Sequence, residues 1–414
     1  MPSTVIHPAF TPDVFISGAG PAGLACAIAL AQKGLQVHVA DGMKPPIDKA
    51  CGEGLMPDTL AALSELGITL EDAANGEPEQ HARIRGIRFV DAKQGNAAQA
   101  PFPSGPGRGM KRKLLHQLLL DRANALGVHF GWETTVRSIS NAEQKHSVPH
   151  SSQHHRDEWA RQKIRRKPFA PTWNTVETTH GIFHPRFIIG ADGHQSRIRS
   201  WAGLDRASIT ARRIGLRQHF AISPWTDFVE VHWSSHGQAY VTPVSSSEVC
   251  VAFVAHKKFP SVAEAMAHFP ELQGRLAAAP PSDTPRGAIT FSRKLHRVTR
   301  GNVALLGDAS GSVDAVTGEG MSLCFRQALA LAEAVASNNL AAYQQAHTAM
   351  RRLPHLMAST MLLMDRSPFL RSRTIAAFER RPQLFARLLE IHIGHSPLLR
   401  KKWMHHKRCS LKGI

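Results

Sequence analysis

Apolar and polar positions along this chain follow two different periods, and the places where the period changes divide it into parts. Residues 13–17 form a short apolar run of buried-strand length. The glycine turn Gly18-Ala19-Gly20-Pro21-Ala22-Gly23 follows at once and opens an alanine-rich stretch predicted to be helical to about residue 33. Residues 37–40 read as the next strand, and 57–66 as a helix with Leu60, Leu63 and Leu66 on one face. Weak alternation broken by glycine over 84–102 suits short strands around a loop. Residues 111–126 carry a helical period, with Leu114, Leu115, Leu118, Leu119 and Ala125 turned inward. Strands are predicted over 128–139 and 175–187, separated by a polar, histidine-rich insertion at 141–170 that is expected to be flexible. From 206 to 295 the period becomes that of strands, at 213–221, 227–233, 239–244 and 248–256, which together suggest one antiparallel sheet. After 320 the pattern is helical, and Met357, Met361, Leu362 and Met364 read as ordinary helix core.

Composition narrows the class. The chain has 414 residues, of which 43% are hydrophobic, enough for a two-lobed globular protein. Its five cysteines are scattered without C-x-x-C spacing, which argues against a disulfide framework or a zinc site and fits a reducing, cytoplasmic setting. No secretory leader and no apolar run long enough to span a bilayer is read from the pattern. His146, His150, His154 and His155 lack acids or cysteines at ligand spacing, so no metal is expected. The formal net charge is +18. Part of it falls in 141–170, with seven basic against three acidic residues, and part in 396–414, with six basic residues and no acid. No nucleic-acid-binding module surrounds these runs, and no nucleic-acid partner is expected. In the tail, Leu398, Leu399 and Trp403 interleave with the charges, so a peripheral membrane contact stands beside the plainer reading of a solvated terminus.

Three segments carry the chemistry. In the first, Gly18 permits a tight turn, Gly20 lets backbone approach a pyrophosphate, and Gly23 lets the helix sit close on the strand. The helix start, with Pro21 and Ala22, offers unpaired N–H groups to phosphate, and Asp41, 23 residues after Gly18, is placed for ribose hydroxyls. In the second, an apolar strand ends in Gly190-Ala191-Asp192-Gly193, read as a loop near the pyrophosphate. In the third, another strand ends in Gly307-Asp308, and Thr317-Gly318-Glu319-Gly320 opens a further helix. Motifs at both ends of the chain imply a dinucleotide gripped at both of its ends, and FAD has that shape.

In this order the three segments resemble the superfamily of para-hydroxybenzoate hydroxylase, ubiquinone-pathway hydroxylases and geranylgeranyl reductases. The resemblance covers about residues 1–350 and implies an α/β fold: a Rossmann-like FAD-binding lobe interleaved with an antiparallel β-sheet substrate lobe, and a helical C-terminus. The lobes are drawn as 1–205 with 296–350 for FAD, 206–295 for the substrate sheet, and 351–414 for the helices with their basic tail. The resemblance also places Arg112 at the family's FAD-contacting arginine. Aromatic hydroxylases usually follow Gly-Asp with Ala-Ala-His and carry a proline before the last glycines. This chain has Gly311 and Ala315 at those places. Thr317-Gly318-Glu319-Gly320 and Cys51-Gly52-Glu53-Gly54-Leu55 are similar to geranylgeranyl reductases instead, whereas the reductases' aromatic-x-Trp-x-Phe-Pro is only echoed by 239–243. The Trp-x-Trp-x-Ile-Pro of flavin halogenases is missing, so halogenation is not expected.

The implied activity is that of an NAD(P)H-dependent FAD oxidoreductase. The leading reading is a monooxygenase acting on a small apolar compound of phenolic or polyketide-derived type. The alternative is an isoprenoid ene-reductase, and a flavin-free binding scaffold is the remote third. No second nucleotide fingerprint is visible, so NADH or NADPH would bind transiently. A helix start at Gly318, Glu319 and Gly320 would stabilise negative charge at the pyrimidine edge of reduced flavin. A proton donor is sought among Cys51, Glu319 and Tyr240. Against this, Cys51 reads equally as a small loop residue, and Glu319 as an acid favoured at any helix start. Alternation sets Phe228, Glu230 and His232 on one sheet face and Val229, Val231 and Trp233 on the other, without saying which meets the flavin. His219 and Tyr240 are open in the same way.

Overall fold

The computed structural model describes residues 11–70, 80–141 and 172–393. The histidine-rich insertion and the basic tail of the sequence analysis lie almost wholly outside them. The first glycine turn sits where expected, between strand Val14–Ser17 and helix Pro21–Ala31. That strand is central in a six-stranded sheet ordered Thr299–Arg300, Val303–Leu305, Phe187–Gly190, Val14–Ser17, Val37–Ala40, His129–Gly131. All its pairs are parallel except the first, and the strands beside Val14–Ser17 are buried on both faces. A sheet covered on both sides needs continuous apolar runs rather than alternation, which is why these strands were short and unbroken in the sequence. Helix Pro21–Ala31 is apolar on every side because it packs on the sheet and against helices Arg112–Ala125 and Gly320–Ala336.

The second sheet has seven strands, ordered Arg286–Leu295, Ala207–Phe220, Val249–Ala255, Gly237–Pro243, Phe228–Ser234, Gly86–Asp91, Ala97–Pro101. It therefore reaches beyond the expected 206–295 boundary, and it is not wholly antiparallel, because Phe228–Ser234 pairs parallel with Gly86–Asp91. Parallel pairing between segments so distant in sequence leaves no local signal. Gly86, which weakened the strand pattern, is required by the antiparallel pairing on its other side: a Cβ there would lie 2.0 Å from the carbonyl oxygen of Ala100 in strand Ala97–Pro101.

Helices Val262–Met266 and Pro270–Leu276 cover one face of this sheet, around Phe253, Phe269 and Leu272. The opposite face looks towards the glycine turns. Three helices, Arg352–Arg366, Pro368–Arg380 and Pro382–His392, close over it. Among the described residues no helix is long and apolar enough to cross a membrane.

Candidate active site

The two sheets and the three closing helices enclose a cavity of about 940 Å³. It brings together Gly20, Pro21, Ala22, Arg112, Gly307, Asp308, Gly318, Glu319 and Gly320 with the three proton-donor candidates Cys51, Glu319 and Tyr240. Four expected cofactor residues do not border it. Gly18 has φ +107°, and Gly23 lies so close that a Cβ would be 1.9 Å from the Gly18 carbonyl oxygen, so both shape the turn from beneath. Asp41 accepts hydrogen bonds from the N–H groups of Ala19 (2.8 Å) and Met43 (2.8 Å), tying the second strand to the turn. Asp192 accepts from Arg197 N–H (2.8 Å) and Ile198 N–H (3.3 Å), which anchors the short helix Arg197–Trp201. Its loop still reaches the cavity through Ala191, Gly193 and His194.

The turns fit a dinucleotide. A Cβ built on Gly20, Gly318 or Gly320 would meet nothing within 4 Å, so open space lies over both glycine segments. Neither helix start is capped by a side chain, and Pro21 opens the first helix, leaving N–H groups for phosphate. Arg112 Nε is buried without a partner, and Asp308 on the opposite rim pairs with His194 at 3.2 Å.

Residues 11–349 match a family of FAD-binding domains. The chain belongs to that family. In such a domain FAD supplies electron chemistry when bound, and Gly20, Arg112, Asp308 and the start of helix Gly320–Ala336 are the residues that would hold it. Menaquinone reductase of Mycobacterium tuberculosis is 39% identical over 97 residues, 23% of this chain and 22% of that protein. Squalene monooxygenase 1,2 of Brassica napus is 30% identical over 258 residues, 61% of this chain and 45% of that protein. The matches therefore span less than half the length of these relatives. The crystal structure of p-nitrophenol 4-monooxygenase PnpA from Pseudomonas putida DLL-E4 superposes with a TM-score of 0.73 at 18% identity, covering 94% of this chain and 98% of that one. At that identity the likeness is one of fold.

The sheet face is now settled. Val229, Val231 and Tyr240 look into the cavity, while Glu230 and His232 bond each other at 3.0 Å on the far face, beside Trp225. Tyr240 donates its hydroxyl to the Val316 carbonyl (2.8 Å), and burial pushes its ionisation further up, so it acts as a neutral strut. The Cys51 sulfur accepts the Glu53 N–H at 3.4 Å and borders the cavity. Met357, Met361 and Met364, expected as ordinary core, are cavity wall. Four leucine and isoleucine side chains at the mouth, Leu356, Leu363, Leu370 and Ile391, are also solvent-exposed.

One cluster was not picked out in the sequence. Glu53 has φ +59°, rare for a residue other than glycine, and its carboxylate is buried. One oxygen accepts the Arg112 N–H (3.0 Å), and the other lies 2.5 Å from His219 Nε2, whose Nδ1 lies 2.8 Å from Asp283. Arg217 joins this chain to Asp48, bonding both of its oxygens at 2.9 and 3.0 Å. Burial alone would lower the His219 pKa, but the Glu53 contact, with help from Asp283, raises it overall. Glu53, His219 and Cys250 bring three potential metal-ligand atoms within 4.8 Å of one another, but Glu53 and His219 already satisfy each other. The cluster pins the Cys51 loop to the seven-stranded sheet. Its only sequence signal was Glu53 inside the cysteine-glycine loop, because its partners lie far apart along the chain.

Glu319 is the candidate with a distinct environment. Its carboxyl is buried, and desolvation pushes its pKa up to about 8, with Arg326 opposing and Asp58 adding to the shift. The folded protein therefore keeps a proton that the unfolded chain releases near pH 4.3. Stability attributable to this group falls as pH rises from that range to about 8. Glu319→Gln is expected to match the parent near pH 4 and to exceed it at pH 8.5, read as urea midpoints. An unchanged difference between the two pH values would contradict a buried, proton-holding carboxyl.

Proposed function

We propose that this enzyme is a flavin monooxygenase that hydroxylates a small apolar compound, taking its electrons from NADH or NADPH bound transiently. The observation that carries the reading is the cavity itself. From the FAD cradle it continues into a wall of Phe89, Phe102, Met361, Phe378, Phe385 and Leu388, closed by the C-terminal helices. A chamber walled by apolar side chains binds a hydrophobic substrate by burial and limits the water around reactive oxygen chemistry. The likeness to a squalene monooxygenase over 61% of the chain supports the same class.

A second reading, saturation of a double bond in an isoprenoid or lipid, is favoured by the partial likeness to menaquinone reductase and by Cys51 and Glu319 bordering the cavity. One assay separates them. Purified FAD-loaded protein is given NADPH or NADH and a panel of apolar phenols, polyketides and polyprenyl compounds, with and without oxygen. Hydroxylation predicts oxygen uptake coupled to a product that has gained one oxygen atom. A product that has gained two hydrogens without oxygen would replace the monooxygenase with the reductase. No pyridine-nucleotide oxidation with any of the panel would remove both.

A further inference from the structure

Glu319 and His392 meet at one corner of the cavity from opposite ends of its wall. Glu319 follows Gly318, whose φ of +68° turns the chain into helix Gly320–Ala336. His392 ends helix Pro382–His392, the last of the closing helices. Both border the cavity, and both are more than nine-tenths buried, at 4% and 7% exposure. Each also carries a polar atom with no partner, Glu319 Oε2 and His392 Nδ1. Buried polar atoms left unpaired are rare in folded proteins and call for a ligand.

Proton placement says which ligand. His392 Nε2 lies 3.3 Å from the Thr317 carbonyl oxygen, which can only accept, so the ring N–H is on Nε2. Burial lowers the His392 pKa, with Arg326 adding to the effect and the Thr317 carbonyl and Asp58 opposing it, so the ring is neutral. Nδ1 is then a bare acceptor. Glu319, which holds its proton at neutral pH, is a donor. The nearest approach between them is 3.7 Å, too long for a direct hydrogen bond. An unused donor and an unused acceptor thus stand side by side. A carbonyl or ether oxygen would satisfy only Glu319. A hydroxyl satisfies both, accepting from Glu319 and donating to His392.

We propose that Glu319 and His392 form a recognition site for a hydroxyl group on an otherwise apolar substrate, an alcohol or a phenol. The pair selects such molecules over pure hydrocarbons and over their ethers, and it does so with one residue from the cofactor lobe and one from the closing helices. This rests on the reading of the cavity as the substrate chamber. The groups facing the pair are Asp58, Arg326 and the Thr317 carbonyl.

The test uses the FAD-loaded enzyme and three probes: 2-naphthol, its methyl ether and naphthalene, with affinity measured by calorimetry and flavin occupancy checked by visible absorbance in every variant. At pH 6.5 the naphthol is expected to bind about 10-fold more tightly than naphthalene, as two net hydrogen bonds would give, and about threefold more tightly than the ether, which lacks only the donation to His392. His392→Leu should bring naphthol and ether to within about 1.5-fold of each other, and Glu319→Leu should cancel the ether's advantage over naphthalene. Glu319→Gln, whose amide still donates, should keep it. Raising the pH through about 8 removes the donor from Glu319, so in the parent the ether loses that advantage and in Glu319→Gln it does not. If the three probes bind the parent alike, the hydroxyl site is wrong and the chamber reading stands. Parent-like ratios among the three probes in both leucine variants also overturn it. If no probe binds, the chamber reading falls, and this proposal with it.

Discussion

Gly23→Val is expected to yield protein that is severely destabilised and recovered without flavin. The Cβ of any residue at this position would sit 1.9 Å from the Gly18 carbonyl oxygen and 3.4 Å from the Ala191 side chain. Helix Pro21–Ala31 would have to lift off the strand that it packs against. Forced overpacking of this kind costs about 3 kcal/mol or more, and a displacement of about 1 Å at a positioning element lowers function by roughly 100-fold. Gly20→Ala is the informative companion. A Cβ at Gly20 meets no protein atom within 4 Å and the residue has φ −69°, so the variant should fold as the parent does. It should nevertheless bind FAD poorly, because that open space is the phosphate cradle. Urea midpoints read the first effect, and flavin fluorescence during FAD titration reads both. Parent-like FAD affinity in Gly20→Ala would remove the cradle from this turn.

Arg217→Leu is expected to destabilise the protein by roughly 3–5 kcal/mol, the usual cost of removing one member of a buried ionic network. The Arg217 side chain is 1% exposed and Asp48 opposite it 7%. Burial disfavours the charge on Arg217, but Glu53, Asp48 and Asp283 more than restore it. Leucine would leave Asp48 with only the more distant Arg286 (3.7 Å) and Lys113 (4.0 Å), and Asp283 with His219 alone. The loop carrying Asp48, Cys51 and Glu53 would keep the Glu53–His219 contact but lose its Asp48 tie to the seven-stranded sheet, so FAD retention should fall as well. A loss below about 1 kcal/mol in urea unfolding would show that solvent or neighbouring bases already neutralise these acids.

The strand, glycine turn and helix at the start of the chain were legible early because each part has a local cause. A strand, a glycine turn and a helix are adjacent in sequence, so Gly18, Gly20 and Gly23 could be given separate roles that match their environments. Asp41 and Asp192 were also noticed, but local pattern could not say where their oxygens point. Asp41 spends both of its oxygens on backbone N–H groups and holds the turn, whereas Asp192 spends one of its two on the start of a short helix. The ionic cluster around Glu53 was illegible for the opposite reason. Asp48, Glu53, Arg217, His219 and Asp283 come from three distant stretches, and each alone resembles an ordinary surface charge.

The sequence by itself determined the cofactor class, the parallel sheet that presents it and the change to a second, strand-rich lobe, since these depend on hydrophobic period and on where only glycine fits. Only the tertiary structure decided which sheet face lines the cavity, that strands Gly86–Asp91 and Ala97–Pro101 belong to the seven-stranded sheet, and that Met357 and Met361 line a cavity rather than fill a core. It alone set His392 beside Glu319, 73 residues away in the chain. Such pairings are fixed by how elements dock, and docking depends on burial summed over many distant residues, which no short stretch of sequence records.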